Sequence, residues 1–412
     1  FWLVENKMKK GTNRYFILAV AAVVNFVHGN PYIWTVFQPH VRSEYDLSLA
    51  ASSQPFTLII GIFAVGNMIG GYLQHKIGAR ATILGGSFVM CAGFFLAAAA
   101  PYNMPWLISA GYGVLGGLGS GCAFSMLVAV PQEWFPDKRG LVTGITVGIV
   151  GISGVIMNPF CDWLLSAYGY RAAMMTTAAV YAVLSLGGIF ISEPGPKPDG
   201  EPGQKPVEHD KAQEAEAPEK RQYTTREMFC TKTYYLVSVS MALAVPAYVL
   251  VNPLMKSLGM ERGLTDSAAL AGVMAASAAN IAGRFAAPWV SDFLGRKTVI
   301  QVLYVIAMIS VVGLTAAKGG LFILLISLVS LTYGGFVSVF PVLTSDCFGM
   351  KYQGMNFGAV MLGYGIVSIL CPYLLAAVQS TPLGTNLSFI AAGGVCVIGM
   401  AVTARIKIQQ KC

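Results

Sequence analysis

Arg284 stands near the middle of an apolar stretch that runs from Leu270 to Val290. A guanidinium at the centre of a bilayer-spanning helix costs roughly 2.5–3.5 kcal/mol on insertion scales. Arginine cannot escape that cost by losing its proton. Such a charge is expected to face a protein cavity and to be matched by an anion. Its planar fork offers paired N–H donors to the two oxygens of a carboxylate. No Asp or Glu lies in the apolar runs at comparable depth, so the matching anion is expected to come from outside the chain. Asn280, one helical turn earlier, shares the face of Arg284. Its amide would donate to the same anion, orient the guanidinium, or bond a neighbouring helix.

A second polar group, Asn25, His28, Asn30 and Tyr32, gathers beside Gly29 and Pro31 in the first apolar run. An imidazole changes charge near neutral pH, which makes His28 a candidate for proton coupling; the alternative is a hydrogen-bonded packing residue. Pro31 removes one backbone hydrogen bond and marks a kink or hinge. Tyr333, in a later run, offers a single polar tip on an apolar body, which suits a small organic acid; the alternative, for it as for Phe124, is core packing. Glycines at 111, 113, 116, 117, 119 and 121 resemble a phosphate loop only superficially, because no Lys-Ser/Thr follows. Close helix packing explains them better, as it does Gly144, Gly148, Gly151 and Gly154.

These groups need a membrane-embedded scaffold to hold them. Of the 412 residues, 55% are hydrophobic and 11% charged, with a mean hydropathy of +0.63; a soluble chain would carry about 25% charged residues. Runs near the ~20 residues needed to span ~30 Å of hydrocarbon recur at 15–38, 53–75, 81–100, 105–130, 140–161, 171–192, 232–255, 267–291, 297–316, 320–342, 354–378 and 385–405. The expectation is an all-α membrane protein of twelve transmembrane helices in two six-helix bundles, 15–192 and 232–406. A linker at 193–231, rich in Pro, Glu and Lys, joins them, with short tails at 1–14 and 407–412. No cleavable signal sequence is expected. Among the eight cysteines no CxxC pair occurs. Neither a zinc site nor a redox motif is therefore indicated, and no cofactor or metal is expected.

The net charge of +8 does not point to nucleic acid, because the basic residues cluster in short loops beside the spans. Lys76, Arg80, Lys138, Arg139, Arg296, Lys297 and Lys351 fall on one side, together with Lys9, Lys10, Arg14, Arg405, Lys407 and Lys411. That bias predicts cytoplasmic termini and linker. The loops also repeat. Gly71-Tyr-Leu-Gln-His75-Lys76-Ile-Gly78-Ala-Arg80 is echoed by Pro288-Trp-Val-Ser-Asp292-Phe-Leu-Gly295-Arg296-Lys297. At about the same offset, Glu133-Trp-Phe135-Pro-Asp137-Lys138-Arg139-Gly140 is echoed by Asp346-Cys-Phe348-Gly-Met-Lys351-Tyr-Gln-Gly354. Equivalent signals at equivalent loops imply two parallel repeats with a site between them at mid-depth.

The loop pattern Gly-x-x-x-Asp-x-x-Gly-x-Arg resembles the signature of the major facilitator superfamily. The first copy departs from it, with His75 where the acid is usual. The resemblance implies that these turns, through Asp292, Arg296, Lys76, Arg80, Asp137 and Arg139, hold the cytoplasmic ends together while the carrier faces outward. More narrowly, Trp134-Phe-Pro-Asp-Lys-Arg-Gly-Leu141, Tyr333-Gly-Gly335 and Phe340-Pro341 are similar to the oxalate/formate antiporter and monocarboxylate transporter branch. The resemblance identifies Arg284 with the carboxylate-binding arginine of that branch. It places Tyr32, Phe124 and Tyr333 at cage positions, and Tyr364 where oxalate exchangers carry a lysine. One fixed cation balances one carboxylate, whereas a dianion would bury a surplus charge. The implied function is secondary active transport of small monocarboxylates such as lactate or pyruvate, coupled to a proton, with an organic-anion exchanger as the alternative. The expected partners are a small organic anion, a proton and the lipid bilayer, with no obligatory protein partner. The expected location is a bacterial inner membrane. A membrane enzyme would need a nucleophile or metal cluster at depth, and none stands in the sequence.

Overall fold

Backbone amides inside hydrocarbon must be satisfied within their own segment, so long apolar runs fold as helices. The computed structural model describes residues 13–192, 221–252, 255–379 and 384–408. Among the described residues, every regular element is helical, and ten helical runs are long and apolar enough to cross a membrane. Two of these are double. The backbone leaves helical geometry at Gly78 (φ 80°, ψ 161°) and at Gly169 (φ 76°, ψ 177°), a region glycine enters without steric cost. Each break makes two passes of one run, so the described chain crosses twelve times, at 14–44, 51–77, 79–98, 106–134, 139–168, 170–190, 232–251, 266–294, 296–313, 319–348, 353–371 and 386–404. Large apolar side chains such as Phe88, Val183 and Met274 stay exposed on the outer faces, where lipid rather than water would meet them.

The first span is not uniform. Its α-helix gives way to a tighter 3-10 stretch, Val27–Ile33, which contains Pro31, before resuming at Trp34. Proline lacks the N–H that an α-helix would use there. Asn25 donates to the Thr146 carbonyl at 2.6 Å and Asn30 to Ser120 Oγ at 2.7 Å. These two amides therefore tie the first span to the fifth and the fourth.

The described ends of the chain and the end of the linker share one end of the bundle. The Arg14 guanidinium lies 4.9 Å from the Phe135 ring centroid, and Lys297 donates to the Ile406 carbonyl at 3.4 Å. Most of the expected linker, and both extreme tails, lie outside the described residues. The linker's last part forms the short helix Thr225–Phe229, opened by a capping box between Thr224 and Glu227. The backbone N–H of Thr224 and then its hydroxyl hold the Glu227 carboxyl below the usual carboxylate range. Tyr223 N–H donates to the Phe348 carbonyl at 2.9 Å, and Asn356 Nδ2 donates to the Tyr223 carbonyl at 3.0 Å.

Two seams join the halves, and both begin at this linker end. In the first, the fifth span passes the eighth so closely that a Cβ on Gly140 would lie 2.0 Å from the Pro288 carbonyl oxygen, and one on Gly148 2.5 Å from the Phe285 ring. In the second, Gly71 of the second span would meet the Met355 nitrogen of the eleventh at 2.0 Å, and the seam continues through Gly358 on Met68 to Gly61 on Ile369. At the far end, polar ties run within each half. Arg171 and Tyr45 both donate to the Ala100 carbonyl, and Arg262 donates to the Thr315 carbonyl at 2.8 Å.

Candidate functional site

Arg284 sits in the eighth span about ten residues from its linker end, or ~15 Å at helical rise, and only 3% of it is exposed. Nε donates to Asn280 Oδ1 at 3.0 Å, one terminal nitrogen to the Val147 carbonyl at 3.3 Å, and the other to the Tyr32 hydroxyl. The guanidinium carbon also lies 5.5 Å from the Tyr32 ring centroid. No carboxylate is among these partners. Three of the five N–H groups are thereby engaged, leaving two for a further acceptor. Asn280 is oriented by Arg284 through its oxygen, and its Nδ2 is buried without a hydrogen-bond partner. A buried donor left unmade costs about 1–3 kcal/mol, and an anion lying against Arg284 would satisfy it.

Val147 and Tyr32 belong to the first half, Asn280 and Arg284 to the second, so the guanidinium bridges the two. Small residues permit the approach. A Cβ on Gly151 would lie 3.0 Å from Ile281 Cγ1 and 3.4 Å from Arg284 Cδ; one on Gly154 would lie 2.9 Å from Tyr32 Cβ. The glycine stripe of the fifth span is thus the wall against which Arg284 and Tyr32 meet.

The second half supplies three more phenols. Tyr333 and Tyr364 share a hydroxyl–hydroxyl hydrogen bond of 2.7 Å, and Tyr248 stacks on Tyr333 at 4.0 Å and 10°. Gly334, next to Tyr333, packs directly on Arg284, an added Cβ there lying 3.2 Å from Arg284 Cγ. Tyr248 is the residue that motif reading misses. It stands 216 positions after Tyr32, close to the 217 that separate Gly71 from Pro288, and two residues after Pro246, so extending the loop repeat into the spans would have found it. Phe124 is buried in the core between the halves, 5.1 Å from the Phe63 ring, with no described contact to Arg284. His28 lies one turn before Tyr32, 2% exposed, and neither ring nitrogen has a hydrogen-bond partner.

Between Arg284 and the linker end, charged groups close the first seam. Asp292 accepts from the backbone N–H groups of Gly140 and Leu141, each at 3.1 Å. A carboxylate at the start of the fifth span satisfies orphan amides and complements the helix dipole. Arg296 pairs with Asp292 at 2.5 Å and with Asp346 at 3.1 Å, and Arg139 joins Asp346 at 3.3 Å. The arrangement is a deep, neutral-walled site with one fixed positive charge, above an end closed by ion pairs.

Residues 15–372 of this sequence match the Major Facilitator Superfamily. The chain belongs to that superfamily. It is therefore a multi-pass integral membrane transporter rather than an enzyme. It is 27% identical over 401 residues to the oxalate:formate antiporter of Oxalobacter formigenes, covering 95% of this chain and 90% of that one. Human monocarboxylate transporter 14 is 31% identical over 161 residues, 39% of this chain and 30% of its own. The fold of the Escherichia coli fucose:proton symporter superposes with a TM-score of 0.71 at 14% identity, covering 95% of this chain and 98% of that one.

Within the superfamily's repeated loops, the charged residues divide. Asp292, Arg296 and Arg139 meet across the seam. Lys76 instead lies 4.7 Å from the ring of Tyr72 on its own helix. Arg80 donates to the Ile191 carbonyl of its own half at 3.2 Å. Asp137 is exposed and makes no ion pair among the described residues. Asp346, which sequence reading used only as a repeat marker, is the acid shared by two arginines.

Proposed function

We propose that this carrier moves small monocarboxylates of the lactate or pyruvate kind, together with a proton, by alternating access. The observation that carries the reading is a buried Arg284 without a carboxylate, two N–H groups unspoken for, and the donor of Asn280 unpartnered beside it. An incoming carboxylate would displace the Tyr32 hydroxyl from the fork and accept from Asn280. Neutralising the charge lowers the cost of closing low-dielectric walls around it, so the loaded carrier can rock. Tyr364 at the position of a second cation supports one negative charge rather than two. His28 is the proposed proton acceptor. It is buried on the first span, one turn from Tyr32, with both nitrogens unpartnered. On the positive-inside bias the linker end would be cytoplasmic, in a bacterial inner membrane.

Exchange of organic anions is the second reading, favoured by similarity along 95% of the chain to a protein named as an oxalate:formate antiporter. Proteoliposomes separate the two. Under the first reading an inward proton gradient drives concentrative uptake of labelled lactate, unlabelled oxalate competes poorly, and His28→Gln loses the response to the gradient while keeping exchange. Uptake that ignores the gradient and requires an internal anion would overturn the symport reading in favour of exchange.

A further inference from the structure

The two seams are built alike but fastened differently. In the first seam, Pro288 and, one turn on, Asp292 meet the opening turn of the fifth span at Gly140 and Leu141. In the second, Gly71 and, one turn on, His75 meet the opening of the eleventh span, where Gly71 presses on Met355 and the His75 ring packs on Tyr352 with centroids 4.9 Å apart at 60°. Asp292 holds its helix start through its carboxyl group, which accepts from two backbone N–H groups. His75 occupies the matching place as an aromatic ring, and a ring of that type changes charge between pH ~5 and 8. The arginine after Gly295 is also missing from the first copy, where Ala79 follows Gly78.

We propose that the His75–Tyr352 contact is a proton-operated latch on the second seam: the neutral ring packs on Tyr352 and keeps the linker end shut, and the protonated ring lets it open. The charges around it fix the direction. Lys76 follows His75 on the second span, and Arg80, past the Gly78 break, is turned to the Ile191 carbonyl. From the facing loop Lys351 already lies over the Tyr352 ring, Nζ 5.5 Å from its centroid, so a charged imidazole would bring a second cation to one ring. The eleventh span opens at Gln353, and its first amides repel positive charge. Arg221 on the linker's end is paired with Glu227 at 3.4 Å. Glu133, the repeat's counterpart of Asp346, stands at the end of the fourth span and is itself engaged. Lys76 beside His75 and Lys351 on the Tyr352 ring are both cations, so protonation works against closure. The latch would act whichever anion is carried.

The test needs no substrate. Spin labels at Ile77→Cys, on an exposed site at the end of the second span, and Arg226→Cys, on the exposed linker helix, report the gap across the seam. Cys230 and Cys412 are replaced by Ser beforehand, and pulsed dipolar distances are recorded in nanodiscs from pH 8 to 5.5. We expect the short-distance population to fall at least twofold on acidification. His75→Asn should hold the short distance at every pH, His75→Asp should do the same, and His75→Arg should show the long distance even at pH 8. A wild-type population unmoved by pH, an unchanged pH response in His75→Asn, or a closed His75→Arg variant would each overturn the latch.

Discussion

Arg284 joins both halves through Tyr32 and Val147, so its substitutions test binding and closure together. Arg284→Ala removes the fork and leaves Asn280 without its orienting partner. We expect uptake in proteoliposomes to fall at least ~100-fold, the equivalent of ~3 kcal/mol, with insertion and thermal stability retained. Arg284→Lys keeps the charge but loses the paired donors, and should recover less than a tenth of wild-type uptake; recovery to wild-type rates would mean that charge alone suffices. Tyr364 tests the choice of anion from the other side. A lysine there adds a second cation against the hydroxyl of Tyr333, now 2.7 Å from that of Tyr364. Tyr364→Lys should therefore raise the ability of oxalate to compete with labelled lactate by about tenfold or more. Equal competition before and after would remove the argument from charge number. Arg284 was legible in the sequence because a charge inside an apolar run is rare. Tyr248 was not, because one tyrosine among many apolar neighbours carries no signal until the half-chain offset pairs it with Tyr32.

At the scale of elements, closure of the linker end rests on helix starts rather than on salt bridges alone. Sequence displays the acids and bases of the loops, but the acceptance of the Gly140 and Leu141 amides by Asp292 involves backbone groups that no residue pattern reveals. That is why Lys76, Arg80 and Asp137 look equivalent to Arg296, Arg139 and Asp292 in one dimension and go elsewhere in three. The spans were legible because hydrocarbon thickness dictates their length. The breaks at Gly78 and Gly169 fell where the apolar runs were interrupted. The 3-10 stretch around Pro31 could be foreseen only as a kink. Gly140 is the sharpest handle on the seam. An added methyl would lie 2.0 Å from the Pro288 carbonyl oxygen and 2.6 Å from Asp292 Oδ1, so the helices must part. Overpacking of this kind costs about 1–3 kcal/mol. In Gly140→Ala, as in Asp292→Asn, the peptide covering positions 140 and 141 should exchange its amide hydrogens at least ~5-fold faster. Unaltered exchange in both variants would show that the seam is held elsewhere.

The whole molecule is a pair of matched bundles that differ where the chemistry is. The first half brings glycines, Val147 and Tyr32; the second brings the cation, its amide and three of the four phenols. With no carboxylate beside it, the empty carrier has to close around Arg284 using dipoles alone: the Asn280 oxygen, the Val147 carbonyl and the Tyr32 hydroxyl. A loaded carrier closes around a neutralised pair. Desolvating an unmatched ion costs several kcal/mol even after relaxation, and partial compensation by three acceptors still leaves ~1.4–3 kcal/mol between the two closures. Each ~1.4 kcal/mol on a barrier is about tenfold in rate. Return of the empty carrier is then the slow step, and exchange should outrun net flux by about 10- to 100-fold at equal pH on both sides. The measurement compares entry of labelled lactate into proteoliposomes loaded with unlabelled lactate against entry into vesicles loaded with buffer. Tyr32→Phe sharpens it: deleting the hydroxyl takes one dipole from the empty state, and none from a carboxylate-filled fork. It should slow net entry roughly fivefold, the worth of a hydrogen bond of ~1 kcal/mol, and leave exchange near wild type. Equal loss in both modes would make Tyr32 a substrate ligand instead of a stand-in for one, and equal rates of exchange and net entry in the wild type would mean that the bare guanidinium crosses as easily as the matched one.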